Sequence, residues 1–427
     1  MMSDCDVVVV GAGAAGLSAG RRLIEAGLDV RVVEAAARRG GRAFTDTTTF
    51  GMAFDRGCHW LHSASVNPYR AIADDLGFAY ERRASRRSMR LFVGGRQADE
   101  AIRAEAMDAI DAGFAAADAA GAAGRDVAVS EVVDRAGRWY PLVDHWMRVL
   151  SSLDPHEIST LDLSRYADTH ENYPVRDGYG ALVLAHGAAV PVALETAATA
   201  IDLSGRTVRV DTTKGAITAR AVIVTVSTSV LAAGAIRFTP ELPAGLQEAI
   251  AACPLGAAEK VVFQLDGLVP DLPDTSYLEC FDPDRPEKKP INFTVNPFGR
   301  AMAIGQLGGS LARDLEAEGE AAMLAFGREG LTDAFGSGIV RRIVRASATR
   351  WVSDPLIRGA YSCALPGKGD LRRRLADPVD GRLFLAGEAV SDHAFSTAHG
   401  AHLSGIAAAE KVAATLHGNR MAVSEPS

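Results

Sequence analysis

The sequence of 427 residues lacks long apolar runs and an excess of positive charge. No apolar run approaches the roughly 18 residues that a membrane-spanning helix requires, so we predict no transmembrane segment and no membrane partner. The net charge at pH 7 is −8, which argues against generic binding to nucleic acid. One basic run, residues 82–90, departs from this trend, and a solvated helix face or loop explains it.

Cysteine is scarce, and its placement argues against a disulfide framework. The chain has five cysteines, an odd number, and no two of them have C-x-x-C spacing. Reduced thiols are the simplest interpretation, so we expect a cytoplasmic protein. We predict no metal site. The first strand is predicted to begin near residue 6, which leaves no room for a signal peptide.

The composition that remains is typical of a globular enzyme. Hydrophobic residues make up 48% of the chain and charged residues 23%. The length suggests two or more domains with an ample core. No internal repeat is present, which argues against a solenoid or a propeller.

The strongest positive signal lies at the start of the chain. Residues 7–10 form a β-branched run, as in a strand that is buried on both faces. The motif G-x-G-x-x-G follows at Gly11, Gly13 and Gly16, and an apolar helical pattern continues through residues 17–24. Gly11 permits a tight turn, Gly13 lets the backbone approach a pyrophosphate, and Gly16 lets the helix pack on the strand. The pyrophosphate would lie at the positive end of the helix dipole.

A second strand and a second glycine turn support this interpretation. Residues 30–33 are predicted to be a strand, and Glu34 ends it at the position where a carboxylate accepts ribose hydroxyls. Gly40, Gly41 and Arg42 then form a second turn. A nicotinamide enzyme does not need this turn, whereas a larger dinucleotide such as FAD would use it near its phosphates and ring. A solvated basic loop is the alternative.

The rest of the chain alternates between strand and helix signals. The predicted strands lie at residues 207–210, 221–225, 260–263, 301–307 and 383–385. Helices are predicted at residues 98–120, 139–153 and 311–335, with a break at Pro141 and a last helix capped by Ser396 or Thr397. Residues 282–290 are predicted to be a loop.

This order predicts an α/β protein with a discontinuous layout. We predict a doubly wound, Rossmann-like FAD-binding domain at residues 1–65, 186–250 and 365–427. A discontinuous α+β substrate-binding domain is predicted at residues 66–185 and 251–364. A second G-x-G-x-x-G motif, which a flavoenzyme reduced by nicotinamide would need, is absent from the middle of the chain.

Seven anchors in order resemble the flavin amine oxidase family, which includes monoamine oxidases, polyamine oxidases and flavin-dependent histone lysine demethylases. The resemblance covers nearly the whole chain, and it implies a doubly wound FAD domain joined to a sheet-and-helix substrate domain. The anchors are the opening motif, Gly40-Gly41-Arg42, Gly57 to His62, Gly178 to Leu182, Pro254 to Val261, Trp351 to Tyr361, and Gly387-Glu388 with Thr397 to Ala401.

The resemblance implies roles for individual residues. Lys260 matches the lysine that holds a water near flavin N5 in the family. Trp351 and Tyr361 match the aromatic walls of the substrate site, which orient a neutral amine and exclude water. The remaining residues are assigned to the cofactor site. Val192 and Gly387 belong to this site, and Glu388 lies beside the ribityl–phosphate region. Thr397 and Ala398 begin a helix whose positive end faces the pyrimidine edge of the flavin.

Departures from the family pattern narrow the prediction. Ala360 occupies the position where monoamine oxidases carry the cysteine that tethers FAD, so non-covalent FAD is predicted. Thr397 replaces the second tyrosine of the monoamine oxidase site, which is closer to polyamine oxidases and demethylases. His62 falls where polyamine oxidases place a histidine or glutamate that faces the substrate. Ala36 replaces an arginine that is common after the ribose-binding glutamate.

The resemblance therefore implies an FAD-dependent amine oxidase. The amine loses a hydride to FAD, water hydrolyses the imine, and O2 reoxidises the flavin to give H2O2. A polyamine or another primary or secondary amine is the expected substrate, and a homodimer is possible. Two alternatives remain open: an FAD-dependent desaturase or amino-acid oxidase on the same scaffold, and an FAD-bound protein without turnover.

Overall fold

The structure is a computed structural model that describes residues 3–82 and 89–423, the last six of these by their backbone alone. Most of the basic run at residues 82–90 lies outside the described residues. The prediction that this run is a solvated helix face or loop therefore also lies outside them. Among the described residues, no helix is both long and apolar enough to cross a membrane.

Strands and helices alternate along the chain, as an α/β protein requires. The strands are β1 Cys5–Val10, β2 Val30–Val33, β3 Thr45–Asp46, β4 Phe54–Asp55, β5 Trp60–Leu61, β6 Arg90–Val93, β7 Arg96–Gln97, β8 Tyr173–Pro174, β9 Val192–Ala193, β10 Ala198–Asp202, β11 Val208–Thr212, β12 Gly215–Val224, β13 Arg237–Thr239, β14 Ala258–Leu265, β15 Ser276–Cys280, β16 Ile291–Val295, β17 Met302–Gly308, β18 Ile343–Ala348 and β19 Leu383–Leu385. The α-helices are α1 Ala14–Glu25, α2 Pro68–Leu76, α3 Glu100–Ala122, α4 Tyr140–Ser151, α5 Thr160–Leu163, α6 Tyr179–His186, α7 Thr228–Ala232, α8 Ala244–Ala252, α9 Gly309–Glu318, α10 Glu320–Phe335 and α11 Ala398–Val423.

The first large sheet is built around β1. Its strand order is β13-β10-β11-β12-β1-β2-β9, and β19 pairs with β12 beside this path. Strands β12, β1, β2, β9 and β19 run parallel to one another. Val7 and Val9 contact an apolar cluster that includes α1 and α11, whereas Val8 and Val10 contact a second cluster that includes α8. Burial on both faces explains why residues 7–10 read as an unbroken β-branched run.

Helices α1 and α11 pack together against this sheet. A Cβ atom on Gly405 of α11 would lie 2.2 Å from the carbonyl oxygen of Ala15 in α1, so only glycine permits this approach. Leu17 and Leu23 of α1 are fully buried. Ile24, the last apolar residue of the helical pattern, is 42% exposed.

The second large sheet is mostly antiparallel, with the order β18-β14-β17-β16-β15-β6-β7. Val261 and Phe263 of β14 pack into an apolar cluster with Met323 and Leu331 of α10. Because side chains alternate along a strand, Lys260 and its neighbours of the same parity face the opposite side. On that face, Lys260 contacts the backbone carbonyl oxygens of Asp55 and Gly57.

Most predicted elements are confirmed within a few residues. The strands predicted at residues 260–263 and 301–307 are β14 and β17, which pair with each other. One detail of the helix predicted at residues 139–153 was wrong. Pro141 does not break α4, because it occupies the first turn, where a proline has no intrahelical hydrogen bond to lose. The mixed α/β class is confirmed.

Candidate functional site

One cavity of about 670 Å³ brings together most of the residues that the sequence assigns to cofactor and substrate. Ligand-binding clefts are typically about 300–1,000 Å³. Gly16 and Val192 do not line it. The predicted residues that do line it are Gly11, Gly13, Glu34, Gly40, Gly41, Arg42, His62, Lys260, Trp351, Tyr361, Gly387, Glu388, Thr397 and Ala398.

The first glycine turn lies between the end of β1 and the start of α1. Gly11 has φ +104°, and a Cβ atom there would lie 2.4 Å from Thr225 Oγ1. Gly13 is the N-cap of α1 and has no side chain to cap the first N–H groups, which remain available to an anion at the cavity. A Cβ atom on Gly16 would lie 1.9 Å from the carbonyl oxygen of Gly11, so Gly16 serves the packing of helix on turn.

Glu34 is fixed at the end of β2 by two backbone donors. Its carboxylate accepts hydrogen bonds from Ala12 N at 2.7 Å and from Ala36 N at 2.8 Å. A carboxylate has about four acceptor sites, so two remain for ligand hydroxyl groups. Val192 lies in β9, which pairs with β2, and thus supports the strand that carries Glu34.

The second glycine turn is tied to the first. Gly40 N donates to Ala12 O at 2.8 Å, and Gly13 and Gly40 form a parallel β-bridge. Arg42 continues this turn and forms an ion pair of 2.9 Å with Glu388. The prediction that residues 40–42 form a structured turn at the cofactor site, rather than a solvated loop, agrees with this placement.

Glu388 is the centre of a buried polar network. It accepts hydrogen bonds from Ser362 Oγ at 2.7 Å and from Ser396 N at 2.9 Å, in addition to its ion pair with Arg42. Burial alone would raise the pKa of Glu388, but Arg42 and Ser362 outweigh it and hold the pKa below its usual value. Glu388 is therefore an anion that neutralises Arg42.

The N-terminus of α11 closes one side of the cavity. Thr397 Oγ1 accepts a hydrogen bond from Gly400 N at 2.9 Å, so Thr397 rather than Ser396 is the capping residue. Thr397 and Ala398 both line the cavity. The positive end of a long helix therefore faces this space, where it stabilises negative charge.

Lys260 is buried on the side of the cavity that residues 56–59 line. Its Nζ lies 2.6 Å from the carbonyl oxygens of both Asp55 and Gly57, and 3.1 Å from Nδ1 of His59. Burial lowers the pKa of Lys260 to about 8, although the carboxylate of Asp55 partly offsets this effect. The ammonium group is therefore a stronger acid than that of a lysine exposed to solvent.

Trp351 and Tyr361 are held on this side by backbone carbonyls. The indole N–H of Trp351 donates to Arg56 O at 3.4 Å, and the hydroxyl of Tyr361 donates to Val149 O. Both rings line the cavity. Because each polar tip already has a backbone acceptor, the rings offer their apolar surfaces to the cavity.

Two buried carboxyl groups that no sequence motif indicated hold the loop of Trp351. Glu259 accepts hydrogen bonds from Trp351 N at 2.7 Å and from Thr349 Oγ1 at 2.5 Å, and Glu316 accepts from Ser353 N at 2.8 Å. Burial, together with Glu316, raises the pKa of Glu259 to about 8. The loop is therefore held by a carboxyl pair that keeps one proton at neutral pH.

His62 lines the cavity and is oriented by Asn172. The distance from His62 Nδ1 to Asn172 Oδ1 is 2.7 Å. Since an amide oxygen only accepts, Nδ1 carries the proton, and Nε2 is the acceptor when the ring is neutral. Burial lowers the pKa of His62, which favours the neutral ring. No sequence motif indicated that Asn172 belongs to the site.

The lowered pKa values of several other buried histidines predict that acid destabilises the fold. Burial lowers the pKa to about 3 for His399 and to about 4 for His145 and His402. The unfolded chain takes up these protons below about pH 6.5, whereas the folded protein does not. Glu259 has the opposite effect on stability in acid. Its raised pKa keeps it protonated in the folded state, so the folded protein holds one proton that the unfolded chain lacks in this pH range.

From these three histidines and Glu259, we expect the free energy of unfolding to fall by roughly 2–3 kcal/mol per pH unit between pH 6 and 5. The lowered pKa values of His59 and His62 make this slope steeper. Urea titrations at pH 5, 5.5, 6 and 7 measure this slope. Ordinary carboxylates titrate below this window, so the slope reports the histidines. A flat profile, or NMR titration of these histidines near pH 6.5, would show that their burial carries no such cost.

The arrangement fits a dinucleotide with a reactive ring. The uncapped start of α1 suits a pyrophosphate, Glu34 suits ribose hydroxyls, and the start of α11 suits a ring that gains negative charge. Lys260, Trp351 and Tyr361 line the same cavity, where a substrate would meet that ring.

Comparison with known proteins places the chain in a family. The family model described as flavin containing amine oxidoreductase matches residues 14–116 and 137–413. These ranges cover most of the chain, so the protein belongs to the flavin containing amine oxidoreductase family. It is an FAD-dependent oxidoreductase, and FAD is its cofactor.

The relatives include oxidases and demethylases. Polyamine oxidase 1 of Oryza sativa subsp. japonica is 28% identical over 495 residues, which cover 95% of this chain and 96% of that protein. Polyamine oxidase 4 of the same organism is 28% identical over 444 residues, which cover 96% and 88%. Lysine-specific histone demethylase 2 of Homo sapiens is 27% identical over 457 residues. That alignment covers 96% of this chain, which spans about half (53%) of the demethylase.

Proposed function

We propose that the protein is an FAD-dependent amine oxidase. The observation that carries this proposal is the meeting of Lys260, Trp351 and Tyr361 in the cavity that also contains both glycine turns. When bound, FAD accepts a hydride from the carbon next to the amine nitrogen. Water then hydrolyses the imine, and O2 receives the electrons to give H2O2.

The chain's own residues hold the cofactor and prepare the substrate. In this proposal the start of α1 with Gly13 binds the pyrophosphate, Glu34 the ribose hydroxyls, and the start of α11 the pyrimidine edge of the flavin. The rings of Trp351 and Tyr361 orient a neutral amine and exclude water. No strong base is required of the protein, because the carbon loses a hydride rather than a proton.

We propose that the substrate is a polyamine or a similar amine with a second cationic group. Asp118 of α3 and Asp168 contribute carboxyl groups to the lining of the cavity. Burial, together with Asp168, raises the pKa of Asp118 despite the opposing influence of His170. A cationic group on the substrate would relieve this repulsion, and the polyamine oxidase relatives are consistent with such a substrate.

Anaerobic mixing with amines tests the function. A short monoamine, spermidine and spermine are each mixed with the purified protein, and bleaching of the flavin is followed. We expect at least one amine to bleach it, and we expect H2O2 when air is admitted. Bleaching only by amino acids or by an isoprenoid would favour the related oxidase or desaturase activities. No bleaching by any of them would leave an FAD-bound protein without turnover.

Two variants of Tyr361 test the aromatic wall. Tyr361→Phe keeps the ring and loses only the hydrogen bond to Val149, whereas Tyr361→Leu removes the ring. We expect Tyr361→Leu to slow anaerobic reduction by the best amine about tenfold or more, with FAD still bound, and Tyr361→Phe to stay within about threefold. Equal rates in the native protein and in Tyr361→Leu would remove the ring from substrate alignment.

We propose that the FAD is not covalently attached. Ala360 has no reactive side chain, and the thiols of Cys58 and Cys363, which also line the cavity, have pKa values that burial raises. Protonated thiols are poor nucleophiles. We expect acid precipitation to leave all of the flavin in the supernatant. Flavin that remains in the pellet, and is lost from it in Cys58→Ser or Cys363→Ser, would identify a tether.

The wider organisation is also a proposal. We propose that residues 1–65, 186–250 and 365–427 form a doubly wound FAD-binding domain, and that residues 66–185 and 251–364 form the substrate-binding domain. A cytoplasmic location and a homodimer stay predictions, which fractionation of cells and light scattering of the purified protein measure.

A further inference from the structure

Two carboxyl groups accept hydrogen bonds from consecutive peptide groups of the loop that carries Trp351. Glu259 accepts from Trp351 N at 2.7 Å. Glu316 accepts from the next two N–H groups, those of Val352 at 3.3 Å and Ser353 at 2.8 Å. Because the two carboxyl groups hold neighbouring peptide groups, a change in the distance between them moves the backbone at Trp351.

The two carboxyl groups come from different elements and meet in the interior. Glu259 lies on β14 and Glu316 on α9, and the two residues are only 2% and 7% exposed. Their side chains share a hydrogen bond. Ionised carboxylates only accept, so this hydrogen bond requires a proton on one of them. Two ionised carboxylates that share a buried site repel each other, so the contact between Glu259 and Glu316 depends on that proton.

The shared proton leaves in the mildly alkaline range. Burial, together with the charge of Glu316, raises the pKa of Glu259 to about 8, although a hydrogen bond from Thr349 opposes this rise. The pair therefore carries one negative charge below about pH 8 and two above it. Lys260 has a pKa of about 8 as well, so its ionisation must be separated from that of the pair. The other charged or titratable groups around the pair and its loop are Arg56, Glu320 and Tyr361.

Building on the proposed oxidase function, we propose that Glu259 and Glu316 are positioning residues that hold the Trp351 ring in the cavity wall while they share a proton. When the pair releases this proton to solvent, the two carboxylates repel each other and separate. The peptide groups that they hold separate with them, and the Trp351 ring leaves its place beside the substrate. Because that ring orients the amine in the proposed oxidase, amine oxidation declines as the proton is lost.

Fluorine NMR of protein labelled with fluorinated tryptophan tests the movement without turnover. The chain has four tryptophans, and the spectrum of Trp351→Phe identifies the signal of Trp351. With oxidised FAD bound, we expect this signal to shift as the pH rises through about 8, because the pair loses its proton there. A Trp351 signal that stays fixed from pH 6.5 to 9.5 in the native protein would overturn the proposal.

Substitution of Glu259 separates the pair from Lys260 and from a purely structural role. Glu259→Gln keeps the length of the side chain, accepts from Trp351 N and stays neutral, so it reproduces the protonated pair at every pH. We expect its Trp351 signal to remain at the position that the native protein shows at low pH. Glu259→Leu lacks the acceptor and should displace the signal at every pH. A native shift that persists in Glu259→Gln would assign the movement to Lys260 and overturn the proposal.

The kinetic test is anaerobic reduction of the flavin by the best amine. Native protein and Glu259→Gln are compared at the same pH, so that ionisation of the amine affects both equally. We expect the ratio of the native rate to the Glu259→Gln rate to fall at least about tenfold between pH 7 and 9.5. The matched control is Glu318→Gln, two residues beyond Glu316 at an exposed position of α9, which should follow the native protein at every pH.

The two measurements distinguish this proposal from the proposed function. A constant ratio of rates across this pH range would overturn the positioning role of the pair. Failure of every amine to reduce the flavin would refute the amine oxidase function, yet the fluorine signal of Trp351 would still report on the pair. If Glu259→Gln does not fold, Glu316→Gln replaces it, because that variant also leaves at most one charge on the pair and should likewise abolish the shift.

Discussion

Gly13→Ala is expected to leave the apoprotein folded and to lower its affinity for FAD at least about tenfold, and up to about a hundredfold. The added Cβ has one neighbour within 4 Å, Gly40 O at 3.8 Å, and Gly13 has an ordinary φ of −76°. The new methyl group therefore strains nothing in the protein. It occupies the space where the pyrophosphate is proposed to approach the start of α1.

The measurement is the dissociation constant of FAD from apoprotein, together with urea unfolding of the apoprotein. Gly205→Ala is the matched control, because it lies outside the cavity lining and its Cβ meets only ordinary contacts. Gly16→Ala is the opposite case, since its Cβ would collide with Gly11 O, and we expect it to destabilise the fold. Native affinity in Gly13→Ala would place the pyrophosphate elsewhere.

Asp162→Asn is expected to cost about 3–5 kcal/mol of folding stability. Arg372 and Asp162 form two hydrogen bonds of 2.6 Å, and both side chains are almost completely inaccessible to solvent. Removing the carboxylate charge leaves the guanidinium buried without its counter-ion. Arg372 also donates to Ser362, which donates to Glu388, so we expect weaker FAD binding as a secondary effect.

The neighbouring Arg373 provides the control for this prediction. It forms an ion pair of 3.0 Å with Asp392, but more than half of the arginine side chain is exposed. Asp392→Asn should therefore cost no more than about 1 kcal/mol. Urea unfolding of both variants compares the two pairs. If Asp162→Asn is too unstable to purify, the double variant Asp162→Leu/Arg372→Met should restore folding, and equal small costs for both single variants would contradict the argument.

The sequence predicted the elements whose signals are local. The β-branched run of β1, the glycine turn and the apolar pattern of α1 lie within twenty residues, and each has a geometric requirement that few residue types meet. Pro141 was misread because a proline interrupts a helix everywhere except in its first turn.

The parts of the site that the sequence did not reveal depend on partners distant in the chain. Glu259 was invisible because its partner Glu316 lies more than fifty residues away, and a single buried glutamate has no motif. Asn172 is a similar case, because it lies 110 residues from His62, whose ring it orients. The motif was enough to locate Lys260. It could not show that the ammonium group contacts residues 55–59, because that segment lies about two hundred residues earlier in the chain.

The pairing of β1 with β12 and β2 has a consequence for synthesis on the ribosome. At about 5–20 residues per second, the emerging β1 waits roughly 10–40 s before β12 has been translated. The start of α11, near residue 398, follows later still. A nascent chain thus exposes a strand of four consecutive valines long before a complete flavin pocket exists. Loading of FAD is therefore a late event, and we expect low riboflavin supply to affect the yield of folded protein after translation rather than during it.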